Sequence, residues 1–255
     1  MGAPDGCSER CWRRIVKASP WLLAERGSLA EGRIIELDRN EVRHAAGALR
    51  LRPGDRVTLV DGAGRTAEAV LRELAKGRAS AEVLAVCEQA QPEGEGVTLA
   101  LAVLHGRGMD WAVEKSVEVG VRRFVPVVGE RTQAGRKAAR DRTPHWSRIA
   151  LQALKQCKRT WAMEVSEPLT PGEIAENFGA DRGGVVADRH GVSVSELPAS
   201  AGRLLLVGPE GGFAPEELGL FSDLGWPRLR LGPHVLRSET AAIVGAAVLV
   251  ANAVR

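Results

Sequence analysis

The sequence predicts a parallel α/β domain preceded by a smaller β-rich domain. From Val97 onward, continuous apolar runs alternate with helical patterns, which is typical of a parallel sheet whose strands are buried on both faces. Before residue 88 the strand patterns are short and surround a single helical pattern, which favours a small barrel. The polar segment 88–96, with one Pro and two Gly, separates the two patterns and is the best candidate for a linker.

The N-terminal part contains two alternating segments and one helix. The segments 32–38 and 55–74 alternate between apolar and polar residues, and the Asp-Gly pair at 61–62 marks a turn within the second segment. Apolar residues at helical spacing predict a helix over 40–51, with Asn40 as its N-cap.

The C-terminal part alternates between strands and helices. Trp111, Val113 and Val117 are expected on the apolar side of the first helix, and Ser238 is expected to cap the last one. We predict strands at 97–104, 123–128, 183–188, 203–208 and 228–232, and helices at 109–121, 144–159, 215–225 and 238–254.

Composition and charge exclude several classes of protein. The 255 residues are 44% hydrophobic and 26% charged, as in globular proteins, and the net charge of +3 is too small to indicate a nucleic-acid partner by itself. The N-terminus has no apolar core of a signal peptide, and the longest apolar stretch, 241–251, is too short to span a membrane. We therefore expect a cytoplasmic protein without a membrane anchor.

The four cysteines do not form a metal-binding pattern. They stand at positions 7, 11, 87 and 157, and no Cys-x-x-Cys pair occurs. We expect no metal site and reduced thiols.

The common nucleotide and hydrolase motifs are also missing. In the stretch "HGRGMDWA" (105–112), the third glycine of a dinucleotide fingerprint is replaced by Trp111. No P-loop, zincin helix or nucleophile elbow occurs anywhere in the chain.

Two glycine-bearing turns are the strongest candidates for a binding site. "GPEGG" (208–212) and "LGPHVLRSETA" (231–241) each follow a predicted strand, each contain Gly-Pro and each hold charged residues. Ligands of parallel sheets bind beyond the carboxyl ends of the strands, and glycine lets a ligand approach the backbone closely. Either turn alone is more simply explained as a strand-to-helix connection; the pair favours a site.

These turns also carry a resemblance to a known family. "LLVGPEGGFAPEEL" (205–218) and "LGPHVLRSETAAIVGAAVL" (231–249) resemble the two signature loops of the ribosomal RNA small subunit methyltransferases E (RsmE), which belong to the SPOUT superfamily. "RHAAGALRLRPGD" (43–55) resembles the PUA-like N-terminal domain of that family, and 109–121 and 145–159 resemble its helices. The resemblance covers nearly the whole chain.

The resemblance implies a fold, a reaction and partners. It implies a PUA-like RNA-binding barrel at 1–88 and a SPOUT domain with a C-terminal trefoil knot at 97–255. It also implies a homodimer that uses S-adenosylmethionine to methylate N3 of one uridine in 16S rRNA of the small ribosomal subunit. The alternatives are another SPOUT methyltransferase, acting on tRNA or a ribose 2′-hydroxyl, and a catalytically silent RNA-binding assembly protein.

We expect the cofactor to bind between the two glycine turns, because an apolar slot lined with backbone donors and acceptors suits adenine. The predicted cofactor-binding residues are Leu206, Val207, Gly208, Pro209, Glu210, Gly211, Gly212, Leu231, Gly232, Val235, Leu236, Arg237, Ser238, Thr240 and Ala241.

Two of these residues are also predicted to be catalytic. Uracil N3 loses a proton on methylation, which leaves negative charge on the flanking carbonyl oxygens. Arg237 could stabilise that charge, and Glu210 could accept the proton or orient the base. A purely structural alternative for Glu210 is to complement the dipole of the following helix.

A local excess of basic side chains predicts where the chain binds RNA. Between 131 and 159 the only acidic residue is Asp141, so basic side chains are in large excess, which favours phosphate contact over an ordinary solvated face. With the basic residues of the N-terminal domain, the predicted RNA-binding set is Arg43, Arg50, Arg52, Arg131, Arg136, Lys137, Arg148, Lys155, Lys158 and Arg159.

Overall fold

The computed structural model describes residues 19–75, 77–92, 94, 96–198 and 201–253. It divides into two compact units, of which the first is formed by Met1–Pro92 with Leu154–Ala162, and the second by Glu93–Ala153 with Met163–Arg255. The sequence predicts two continuous domains, so the assignment of 154–162 to the first unit differs from that expectation.

The described part of the first unit is built around a five-stranded sheet. Its strands are β1 (Trp21–Leu23), β2 (Ile34–Glu36), β3 (Arg56–Val60), β4 (Arg65–Ala75) and β5 (Arg78–Glu88), in the order β1-β3-β4-β5-β2. Only β1 and β3 pair in parallel; the other three pairings are antiparallel. The predicted turn at 61–62 connects β3 to β4, and alternate residues of these strands fill the core beneath helix α1 (Arg39–Arg43).

Helix α1 differs from its prediction at both ends. Asp38, not Asn40, is the N-cap, because its carboxylate accepts hydrogen bonds from the amides of Asn40 and Glu41 at 2.7 and 2.8 Å. The helix then widens into a π-turn over His44–Ala48. Arg50 ends it in the left-handed conformation, with φ of 51°.

The second unit contains a six-stranded parallel sheet in the order β11-β9-β10-β6-β7-β8. Buried residues of the sheet and its helices form an apolar core that includes Leu206, Phe221 and Trp226. The strands are β6 (Thr98–Ala102), β7 (Arg123–Val127), β8 (Glu164–Val165), β9 (Val185–Ser193), β10 (Leu204–Val207) and β11 (Arg228–Arg230). The helices are α2 (Gly108–Val119), α3 (Arg136–Cys157), α4 (Pro171–Arg182), α5 (Pro215–Asp223) and α6 (Ser238–Ala253).

The structure corrects three local predictions. Trp111 on α2 is 43% exposed, whereas Val113 and Val117 are buried. The reason is geometric: residues two apart on a helix lie about 200° apart around its axis, so Trp111 and Val113 cannot face the same side. Helix α3 begins eight residues before the predicted start and contains Pro144. Ser238 is the first residue of α6 and not its N-cap, because the Ala241 amide donates to the Arg237 carbonyl.

Among the described elements, β1 and β5 of the first unit and β8 and α4 of the second are not predicted from the sequence. Helix α4 has a clear sequence signal that could have revealed it. The Thr170 hydroxyl accepts from the Glu173 amide, and the Glu173 carboxylate accepts from the Thr170 amide, which is the capping box expected of a Thr-x-x-Glu spacing.

The environment of the thiols differs from expectation at one position. Cys157 is not disulfide-bonded, whereas Cys87 is, which contradicts the expectation of a reduced thiol at position 87. Cys7 and Cys11 lie outside the described residues.

In the part of the chain that the structure describes, none of the helices is long and apolar enough to cross a membrane.

Candidate active site

The candidate site lies beyond the carboxyl ends of β10 and β11. The 208–213 loop follows β10, the 231–237 loop follows β11, and β9 lies between these two strands. Because all three strands are parallel, their carboxyl ends meet at one edge of the sheet, where ligands of such sheets bind. The strand order therefore brings together two loops that the sequence separates by helix α5.

A cavity of about 390 Å³ lies between the two loops. Its volume is within the roughly 300–1,000 Å³ typical of small-molecule sites. The predicted cofactor-binding residues that line it are Val207, Gly208, Pro209, Glu210, Gly211, Gly212, Leu231, Gly232, Val235, Leu236, Ser238 and Ala241.

Three of the predicted residues do not line the cavity. Leu206 is fully buried in the apolar core. Arg237 and Thr240 lie at the start of α6, and Arg237 is exposed. Its guanidinium makes no hydrogen bond or ion pair to any residue that the structure describes, so it is available to a ligand approaching from outside.

One whole side of the cavity is not predicted from the sequence. Ala187, Asp188 and Arg189 on β9 line it, and the remaining additional lining residues are Phe213, Leu218, Leu229, Arg230 and His234. The β9 residues could not be found from local patterns, because their position depends on which strands are neighbours. Arg230 and His234 could have been found, since they flank residues already assigned to the site.

Glu210 occupies an exposed turn at the edge of the cavity. The Gly212 amide donates to the Pro209 carbonyl at 2.8 Å, which closes a turn with Glu210 at its second position. Gly212 has φ of 68°, a conformation that favours glycine. Helix α5 begins five residues later, and its first turn already contains Glu216 and Glu217. A helix-dipole role for Glu210 therefore has little structural support, because such effects fall off beyond the first turn.

The β9 and β11 side of the cavity carries several charges. Asp188 pairs with Arg228 at 3.2 Å, and Arg189 donates from Nε to Nε2 of His190 at 2.9 Å. The Ser193 hydroxyl lowers the pKa of Glu196, and the charge of Arg230 adds a smaller effect in the same direction. Arg189 and Arg230 are exposed and are therefore accessible to an anionic ligand.

In the second unit, most predicted RNA-binding residues are exposed and engaged in local contacts. Arg131 donates to the Gly211 carbonyl at 2.9 Å, and Arg136 pairs with Glu173 at 2.9 Å. The hydrogen bond from the Thr170 amide is the largest cause that lowers the pKa of Glu173, and the hydrogen bond from the Arg136 guanidinium is the next largest. Lys137 pairs with Asp141 at 3.5 Å, and Arg148 contacts Nδ1 of His145 at 3.0 Å.

In the first unit, one predicted RNA-binding residue is not accessible. Lys155 is 7% exposed, and its ammonium pairs at 2.6 Å with the carboxylate of Glu41, which is 1% exposed. Lys155 is therefore a buried structural residue, which corrects the expectation of a phosphate contact. The other predicted cations of this unit lie at its surface, with Arg159 half-buried; they are Arg43, Arg50, Arg52, Lys158 and Arg159.

Among the described residues, no group of three or more His, Cys, Asp or Glu side chains is arranged to hold a metal ion.

Comparison with known families covers both units. Residues 91–250 match the RNA methyltransferase domain, and residues 37–84 match the RNA methyltransferase PUA domain. A ribosomal RNA small subunit methyltransferase E from Mycobacterium bovis is 33% identical over 222 residues, which is 84% of each chain. The chain belongs to the RsmE family. The Synechocystis RsmE is 29% identical over 241 residues, covering 90% of this chain and 78% of that protein.

Two solved structures with bound S-adenosylmethionine have the same fold. The RsmE from Neisseria gonorrhoeae, bound to S-adenosyl methionine, superposes with a TM-score of 0.79 at 29% identity, over 91% of this chain and 96% of that one. A Legionella pneumophila protein with bound SAM gives a TM-score of 0.83 at 28% identity, over 91% of this chain and 97% of that one. These likenesses confirm the predicted family, the SPOUT-like parallel sheet and the PUA-like N-terminal domain. The trefoil knot stays a prediction.

Proposed function

We propose that this chain is an S-adenosylmethionine-dependent methyltransferase that acts on N3 of a uridine in small-subunit ribosomal RNA in the cytoplasm. The observation that carries the proposal is the cavity formed jointly by the 208–213 and 231–237 loops, in a chain whose structural relatives bind S-adenosylmethionine.

The cavity fits this cofactor in chemistry as well as in size. Val207, Leu231 and Leu236 provide apolar contacts for a flat base, and the glycines leave backbone groups accessible for hydrogen bonds. A Cβ atom added at Gly232 would have no neighbour within 4 Å, so this position faces open space. Glu210 at the cavity edge supplies a negative charge that complements the sulfonium of the cofactor. When bound, the cofactor supplies an electrophilic methyl group on a sulfonium.

The side chains of the site would prepare the uracil for attack. Glu210 is exposed at the cavity edge, where it accepts the N3 proton as the new N–CH₃ bond forms, or orients the base by hydrogen bonding. Arg237, exposed and without a partner among the described residues, donates to a uracil carbonyl oxygen as charge builds up there. Neither group requires a rearrangement of the core.

The RNA backbone would be bound by the exposed cations. Arg189 and Arg230 at the cavity and Arg50 in the PUA-like domain are accessible to phosphates. A uridine must leave its stack to reach a cavity of this kind, and phosphate contacts on either side would hold the extruded nucleotide in place.

A homodimer is part of the proposal. Helices α2 and α6 pack on each other in the second unit, and each exposes a large apolar side chain, Trp111 at 43% and Val244 at 37%. A second copy would cover these side chains. Light scattering should give twice the chain mass for the wild type and a lower mass for Trp111→Glu; a monomeric wild type would contradict this part.

The test is methylation of purified small subunits that lack the modification, with labelled cofactor, followed by mass spectrometry of the nucleosides. We expect label in 3-methyluridine. Label on a ribose or in tRNA would instead favour another SPOUT activity, and cofactor binding without any transfer to RNA would indicate a silent RNA-binding protein.

A further inference from the structure

Two loops from non-adjacent strands are joined behind the cavity. β6 lies between β7 and β10 in the sheet, so the carboxyl ends of β7 and β10 are about 10 Å apart. Nevertheless, the 128–135 segment that follows β7 reaches the 208–213 loop that follows β10. Arg131 donates to the Gly211 carbonyl at 2.9 Å and more weakly to that of Phe213 at 3.5 Å.

A carboxylate of α5 completes this connection. The Oε1 atom of Glu217 accepts from the Glu130 amide at 2.8 Å, and its Oε2 atom accepts from the Ala214 amide at 2.8 Å. The approach is so close that a Cβ atom at Gly129 would lie 2.7 Å from Oε1 of Glu217. One guanidinium and one carboxylate thus connect the two loops through four backbone groups.

These two side chains stand outside the cavity, whereas the two partners of Arg131 line it. Gly211 and Phe213 are cavity residues, but Arg131 and Glu217 are not. Arg131 contacts the 208–213 loop directly, and Glu217 contacts Ala214, the residue that follows it, so both side chains support the loop from outside the cavity. The loop needs such support, because it contains Gly211 and Gly212, which restrict the backbone least of all residues.

We propose that Arg131 and Glu217 are positioning residues that hold the 208–213 loop in its cofactor-binding shape. The inference rests on the proposed function, since it takes S-adenosylmethionine as the ligand of the cavity. It assigns Arg131 to the cofactor site, whereas the sequence pattern assigned it to RNA. The two roles differ in one measurable respect: loop support affects cofactor affinity in the absence of RNA.

The experiment measures S-adenosylmethionine affinity by calorimetry on the full chain without RNA. Arg131→Ala removes both donated hydrogen bonds, and we expect about tenfold weaker binding, a loss of about 1.4 kcal/mol. Arg131→Lys keeps the charge but not the forked donor geometry, so it should recover part of the affinity. Glu217→Gln keeps the shape but has a single acceptor oxygen, so it can satisfy only one of the two amides and should also weaken binding.

The matched controls are Arg123→Ala and Glu164→Gln. These residues form an exposed ion pair at 3.0 Å at the amino end of β7, the opposite edge of the sheet. Both variants should bind the cofactor like the wild type. Hydrogen exchange gives a second readout, because the amides of 211–213 should exchange faster in Arg131→Ala and Glu217→Gln and not in the controls.

The outcomes separate this inference from the proposed function. Weaker cofactor binding and faster loop exchange in both test variants, with unchanged controls, support it. Wild-type cofactor affinity in Arg131→Ala and Glu217→Gln overturns it, and a reduced salt dependence of RNA binding in the same Arg131 variant would then make Arg131 a phosphate contact. A wild-type chain that does not bind S-adenosylmethionine at all overturns the proposed function, and this inference with it.

Discussion

Replacing Lys155 tests whether a cation predicted to bind RNA is instead part of the core. Lys155→Met keeps most of the apolar stem but removes the ammonium that pairs with Glu41 at 2.6 Å. The Glu41 carboxylate, 1% exposed, keeps the hydrogen bond from the Leu23 amide at 3.1 Å but loses its counter-charge.

The expected effect is large. Breaking a buried ion pair from one side typically costs about 3–5 kcal/mol, because the remaining charge is left uncompensated. For a chain of this size the Tm should fall by about 10 °C. Adding Glu41→Gln to Lys155→Met should recover about half of the loss, since a neutral amide is far less costly to bury than a carboxylate.

The assay combines urea unfolding with salt-dependent RNA binding. Lys137→Met is the matched control, because Lys137 is 93% exposed and pairs only loosely with Asp141. Its unfolding free energy should change by less than about 0.5 kcal/mol. The reasoning is refuted if Lys155→Met loses less than about 1 kcal/mol while the salt slope of RNA binding falls by about 0.7–0.9, the signature of one lost phosphate contact.

The remaining predictions concern the cavity and its surroundings. Gly232→Val should abolish cofactor binding in calorimetry without lowering the Tm. Gly208→Val should abolish binding and also lower the Tm, because its Cβ would lie 3.2 Å from the Phe213 ring. Wild-type affinity in both variants would contradict the assignment of the cofactor site. Arg237→Ala should reduce single-turnover methylation by about two to three orders of magnitude with little change in cofactor affinity, and an equal loss of affinity would make it a binding residue. Glu210→Gln should leave the Tm unchanged and lower the rate by a factor that shrinks as pH rises, because uracil then ionises unaided; a pH-independent loss would leave only positioning. Arg50→Gly should raise stability by up to about 1 kcal/mol, since φ of 51° suits glycine, and should weaken RNA binding; unchanged RNA affinity would make Arg50 an ordinary surface residue.

The two glycine loops could be located from sequence because their signal is local. A strand pattern followed by Gly-Pro marks a strand end, and both loops of the pair line the cavity. The third side of the cavity, Asp188 and Arg189 on β9, depends on the strand order β11-β9-β10. No periodicity within a strand encodes which strand lies next to it.

The distribution of charge along the sequence was the least reliable predictor of RNA-binding residues. Lys155 and Lys158 are equally basic in sequence, but the first is buried and the second is exposed. The difference arises from Glu41, which lies 114 residues away along the chain and whose carboxylate is itself buried. A pairing over that distance cannot be inferred from a count of cations.

Residues 154–162 belong to the first unit although they follow much of the second unit in sequence, and this affects when the first unit can be completed during translation. The Glu41 carboxylate cannot pair with the Lys155 ammonium until Lys155 is synthesised. The ring of Trp161, which lies against Gly64, is synthesised later still. At about 5–20 residues per second, the roughly 60 residues after Pro92 take about 3–12 s to translate. The N-terminal unit must remain unfinished during that interval, while β6 and β7 of the next unit are already being made. A nonsense mutation at or before Lys155 would therefore yield an incomplete first unit with a buried, uncompensated carboxylate, and not a smaller functional RNA-binding domain.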